Sequence, residues 1–152
     1  PIIRAVDLVK SDLAEVDLPP YRNATLSITI TYTGGTAKCG EIVIGLKSQV
    51  GRMRRGPGVG ITDYSTKEAD QAGNYLITQR AFSKRMTCDV VIKNSMVNEI
   101  FRQLAIYRST PLVWVGHEDY TALIVFGFYK DFTITIPYAD FSECSLEIEG
   151  LT

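Results

Sequence analysis

The sequence predicts a mainly β protein, an antiparallel β-sandwich or open barrel with one flanking α-helix. Three observations predict it. In Cys144–Glu149 the residues alternate strictly, so Cys144, Leu146 and Ile148 fall on one strand face and Ser145, Glu147 and Glu149 on the other. The same two-residue period runs through Thr25–Thr33, where Leu26, Ile28, Ile30 and Tyr32 alternate with Thr and Ser. The links between such runs are too short for parallel crossovers, which makes the strands mostly antiparallel.

Taken in chain order, Ile2–Val9 is a short strand candidate, and Pro19-Pro20 then marks an ordered excursion that regular structure cannot continue. Thr25–Thr33 and Gly40–Lys47 form a hairpin turned at Gly34-Gly35. From Ser48 to Asn74 the periodicity fails, and this glycine-rich stretch with Arg52, Arg54 and Arg55 is expected to be an extended irregular arm at about 48–74 that folds against something else. Tyr75–Phe82 and Arg85–Asn94 are two strands separated by the polar Ser83-Lys84 pair. Met96–Arg108 is the helix: Val97, Ile100, Phe101, Leu104 and Tyr107 recur at three- and four-residue steps, Asn94 or Ser95 is placed to cap it, and Pro111 stops it. Pro111–Gly116, Thr121–Phe132, Phe132–Tyr138 and Cys144–Leu151 complete the strands.

A chain of 152 residues supports one core, so a single domain over 1–152 is expected. A net charge of -1 disfavours nucleic acid as the main partner, because phosphate affinity needs clustered cations in excess. No apolar run reaches the length of a membrane span and no signal-like start precedes the first strand, which predicts a soluble chain made in a cytoplasm with no membrane partner. Cys39, Cys88 and Cys144 are too far apart in sequence for a metal or redox motif and read as small buried hydrophobes; a Cys88–Cys144 bridge stays open if their strands pair.

Chemistry-bearing residue types do not converge. His117, the single histidine, sits beside Glu118 and Asp119 in a polar turn, without the further ligands a metal needs or the adjacent nucleophile a hydrolase needs. Gly56–Gly60 lacks the Lys-Ser/Thr of a phosphate loop and reads as a flexible segment. No catalytic residue, cofactor or metal is therefore expected. Arg52, Arg54 and Arg55, with Lys47, suit phosphates, solvent or salt bridges across a subunit interface, for which the outward Glu143, Glu147 and Glu149 are the matching acids. With Tyr64 from the same arm, these are the oligomer-interface candidates. Trp114, Tyr120, Phe126, Phe128, Tyr129, Phe132, Tyr138 and Phe141 crowd the last third, mostly as core residues, with Tyr129 and Tyr138 expected to be the most exposed.

Five segments carry a resemblance: Ala69–Asn74 (ADQAGN), Gln79–Met86 (QRAFSKRM), Arg108–Gly116 (RSTPLVWVG), Gly127–Phe132 (GFYKDF) and Cys144–Leu151 (CSLEIEGL). Together they resemble a domain of minor tail proteins of tailed bacteriophages, nearest to tail-tip or baseplate components of distal tail or hub type. The resemblance covers roughly residues 70–151 and rests on structural rather than active-site motifs. It implies a tail-tube-like β fold with a flanking helix, and a non-enzymatic protein that forms a homo-oligomeric ring joining the tail tube to distal tail proteins. Partners would be copies of itself and other tail proteins (tube, hub or tape measure), and the location the virion tail after synthesis in the host bacterial cytoplasm. A distal tail protein also carries a carbohydrate-binding-like domain for which this chain has no room, which points to a minimal ring or connector. The alternative is a monomeric carbohydrate- or receptor-binding β-sandwich module using exposed aromatics; a tail-associated hydrolase has less support.

Overall fold

A computed structural model describes residues 22–31, 33–36, 39–54 and 56–151. The expected strand at Ile2–Val9, the Pro19-Pro20 excursion, Tyr32 and Arg55 lie outside these residues. The described residues up to Ser48 belong to one compact unit and those from Gln49 onward to another.

The unit from Gln49 onward is built on a curled, antiparallel half-barrel sheet with one helix, so the open-barrel form of the expected fold is the one adopted. Its strands are β1 (Arg52–Met53), β2 (Gly58–Asp63), β3 (Thr66–Ala69), β4 (Tyr75–Thr78), β5 (Phe82–Lys93), β6 (Leu112–Val115), β7 (Ile124–Thr135) and β8 (Phe141–Gly150), and its helix is α1 (Val97–Ile106). The main sheet runs β1-β5-β8-β7-β6, with β2 also on β5, while β3 and β4 form a separate two-stranded ribbon.

The alternation read in β8 sets the core. Cys144, Leu146 and Ile148 are buried beside Met86, Cys88, Val90 and Ile92 of β5 and Val125 of β7. Helix α1 contributes Ile100 and Leu104 to the same cluster, one turn apart on one face. Aromatic rings fill the helix side of β7: Phe132 stands edge-on to Phe101 at 5.9 Å and to Tyr129 at 5.5 Å, and Tyr129 edge-on to Trp114 at 6.3 Å. Such edge contacts suit the ring quadrupoles. The Tyr129 hydroxyl donates to the Leu104 carbonyl at 2.7 Å, tying strand to helix. Tyr129 is therefore a half-buried core residue rather than an exposed platform ring.

Several boundaries differ from the sequence reading for identifiable reasons. The arm expected to be irregular from 48 to 74 contains three strands: β1 and β2 line one edge of β5, and β3 opens the ribbon. Gly56–Gly60 is likewise not a free segment, since Gly58 starts β2; a Cβ there would sit 2.5 Å from Thr87 Oγ1, so glycine permits the approach. Ser83-Lys84 does not break the chain. Ser83 Oγ meets the Tyr64 hydroxyl at 3.1 Å and Lys84 Nζ donates to the Thr121 carbonyl at 2.9 Å, so β5 runs through both with their polar groups satisfied. The two strands expected on either side of Phe132 are one, β7, with a register shift between Tyr129 and Asp131.

Asn94 does not cap α1. It begins a 3-10 turn (Asn94–Met96), and no side chain caps the helix that follows. Its amide instead donates to the carbonyls of Tyr138 (2.8 Å) and Ala139 (2.7 Å) and accepts from Ser142, bracing the β7–β8 turn. Cys88 and Cys144 do lie on paired strands, but Cys88 is opposite Leu146 and Cys144 opposite Val90, and both thiols are free. Burial pushes both up to about 11, aided at Cys88 by the neighbouring Asp89 charge.

In the unit up to Ser48, the expected hairpin is absent: no strand forms among its described residues, although Gly35 takes the positive φ of a turn. Leu26, Ile28 and Ile30 are 54%, 51% and 38% exposed. A lone two-stranded hairpin whose apolar face has no cover is marginal in water.

Candidate functional site

Two surfaces of the larger unit carry the candidates. The first is the face of the sheet turned away from α1. Residues paired across β5, β8 and β7 share a face, which here gathers Arg85, Thr87 and Asp89 with Glu143, Ser145, Glu147 and Glu149, and Asp131, Thr133 and Thr135. Of the interface candidates, Arg54, Tyr64, Glu143, Glu147 and Glu149 reach this face and find partners within the chain. The Arg54 amide donates to the Asp89 carbonyl at 2.8 Å, and its guanidinium forms a charged hydrogen bond with Glu143. Tyr64, whose amide donates to Ala81, turns its hydroxyl onto Glu149 at 3.1 Å. Glu147 lies 3.9 Å from Lys130, a residue the sequence reading passed over. Arg52 is exposed on β1 opposite Val91. The acids proposed to reach a neighbouring copy are thus engaged at home, and Arg54–Glu143 and Tyr64–Glu149 instead fasten the β1–β2 edge to β8. A cleft of ≈ 220 Å³ between Arg54, Asp89, Thr133, Thr135, Glu143 and Ser145 offers carboxylates and hydroxyls, with its guanidinium held by Glu143.

The second surface is the outer edge of the sheet and the ribbon beyond it. Among the described residues β2 pairs with β5 alone, along one side. Val59 and Ile61 face the core side, opposite Met86 and Lys84, yet they are 57% and 60% exposed. Phe82, opposite Asp63, is also exposed. The β3–β4 ribbon then presents Tyr75, Leu76 and Ile77, all exposed. Consecutive strand residues point to opposite faces, so both faces of the ribbon are apolar in part. Its turn is built by Asp70, whose Oδ1 accepts from the amides of Ala72 (2.9 Å) and Asn74 (2.8 Å), with Gly73 at positive φ. Hydrogen bonds from Asn74 lead the effects that hold the Asp70 carboxyl below its ordinary 3.8. Of the ribbon, β4 lies within the expected Tyr75–Phe82 strand, whereas the four residues of β3 are too few to show a period and the Asp-x-x-Gly-Asn turn is their one signal.

His117 is exposed in its turn, with Nδ1 accepting from the Asp119 amide at 3.2 Å. Among the described residues, no three His, Cys, Asp or Glu side chains gather as metal ligands, and no helix is long and apolar enough to cross a membrane. Set against protein-family models and curated proteins, the chain matches none.

Proposed function

We propose that this chain is a non-enzymatic structural component of a phage tail tip or baseplate, a homo-oligomeric ring element that joins the tail tube to distal tail proteins. The observation that carries the reading is the run of exposed apolar side chains on the outer strands, Val59 and Ile61 of β2, which has no second strand partner among the described residues, with Phe82 and with Tyr75, Leu76 and Ile77 of the ribbon. Natural sheets blunt their free edges with charge, proline or cover, and an apolar edge left open is a surface for association. The tail-protein resemblance of residues 70–151 gives that association its setting. Partners are copies of the chain and neighbouring tail proteins. The glycan-binding alternative would rest on Tyr138 with the exposed Tyr120 and Phe141, since Tyr129 is committed to the core.

The experiment is the solution mass of the purified chain by light scattering over a concentration series, followed by imaging of any assembled particle. An oligomer that grows to a closed size with concentration is expected. A strict monomer that binds glycans would replace this reading with the receptor-binding one.

A further inference from the structure

The segment 24–31 and the strand β2 have complementary needs. Leu26, Ile28 and Ile30 recur every second residue with Thr25, Ser27, Thr29 and Thr31 between them, the pattern of a half-buried strand, yet the segment has no ladder among the described residues and its apolar side chains are exposed. Among the described residues β2 has one ladder edge without a partner, with exposed Val59 and Ile61 on one face and Gly58, Gly60 and Thr62 on the other.

We infer that residues 24–31 of one copy add as a strand to the free edge of β2 in a second copy. The inference rests on the self-association reading above and names the contact that drives it. Both faces match at once. An added strand in register places Leu26, Ile28 and Ile30 beside Val59 and Ile61, and its Thr and Ser residues beside Gly58, Gly60 and Thr62. Charge matches too, because neither Ala24–Thr31 nor Gly58–Thr62 carries an ionisable side chain, so two copies meet there without repulsion and without a desolvated charge. The opposite edge of the sheet suits the role less well. β6 is four residues long, and its Trp114 indole donates to the Gly127 carbonyl across the β6–β7 pair. Backbone hydrogen bonds would supply affinity, and the alternating side chains register. Since donor and acceptor are different surfaces of one chain, the contact is head-to-tail and propagates, into a ring where the rotation between copies closes and into an open filament where it does not.

The test combines hydrogen exchange with two edge variants of the full chain, Ile28→Lys and Ile61→Lys, both at exposed positions whose charge leaves the core untouched. The wild type is expected to assemble with concentration and to gain amide protection over 24–31 and 58–63 as it does so. Each variant alone is expected to stay a folded monomer. Mixed, they are expected to form a dimer that neither forms alone, because Ile28→Lys keeps an intact β2 and Ile61→Lys keeps an intact donor segment. Assembly of both variants like the wild type, with 24–31 exchanging freely, overturns the inference and leaves self-association standing. Protection of 24–31 that is independent of concentration also overturns it, as pairing within one chain. A wild type that remains monomeric at every concentration overturns both readings.

Discussion

Cys144–Ile148 and Leu26–Ile30 are written in the same two-residue period, and they end in opposite places. The first is buried on a sheet between β5 and β7 under α1, and the second lies exposed without a ladder. Period specifies an amphipathic strand, but cover must come from other elements. β8 has two flanking strands, a helix and a ring cluster to pack on. Residues 24–31 have none of these among the described residues, and their stability as a strand is deferred to whatever covers them.

The sharpest way to break the comparison is Ile100→Asp, which sets a carboxylate in the cluster shared with Leu146 and Ile148. A loss of several kcal/mol, enough to unfold the larger unit, is expected by urea denaturation; native-like stability would show that α1 is not the lid of this core. Ile148→Ala should cost about 2–5 kcal/mol, whereas Ile28→Ala in a dilute monomer should stay within about 0.5 kcal/mol. Equal costs would erase the distinction between the two regions.

A pH series sharpens the buried side. In the fold, Cys88 and Cys144 keep their protons to about pH 11, against an ordinary value of 9.0. Between those limits the unfolded chain has released protons that the native state retains. Stability is therefore complete below pH 9.0, falls as pH rises through the window, and should fall less steeply in Cys144→Ala. The urea midpoint followed from pH 8 to about 11 reads this directly. A small effect of opposite sign is expected at Ser109, whose φ of 59° just past α1 is one that glycine adopts freely. Ser109→Gly should raise stability by up to about 1 kcal/mol, seen as a small rise in Tm; a fall would mean the serine has a role beyond its backbone.

How far the fold was legible follows from the same physics. The cores of β5, β7 and β8 and the helix show in the sequence because their large apolar side chains keep one period over many residues. β2 does not, because its second face is Gly58 and Gly60, which carry no side chain to mark a period and look like a loop. The Ser83-Lys84 pair looked like a break because polar satisfaction by Tyr64 and by the Thr121 carbonyl is a tertiary fact. At the candidate site, the opposite charges of Arg54 and Glu143 were plain, but their meeting within one chain depends on a register that brings the Arg54 amide to Asp89. The exposed ribbon residues Tyr75, Leu76 and Ile77 were read as an ordinary strand, since sequence reports apolarity and not whether anything covers it.

The brace at Asn94 joins parts of the fold that lie far apart in sequence. One amide group holds the carbonyls of Tyr138 and Ala139, while its oxygen takes the Ser142 hydroxyl and its backbone nitrogen donates to Asp140. The entrance to α1 and the β7–β8 turn therefore cannot loosen separately. They form one cooperative opening unit, so a fluctuation that frees the turn also frays the first turn of the helix, and the two should share a single opening rate.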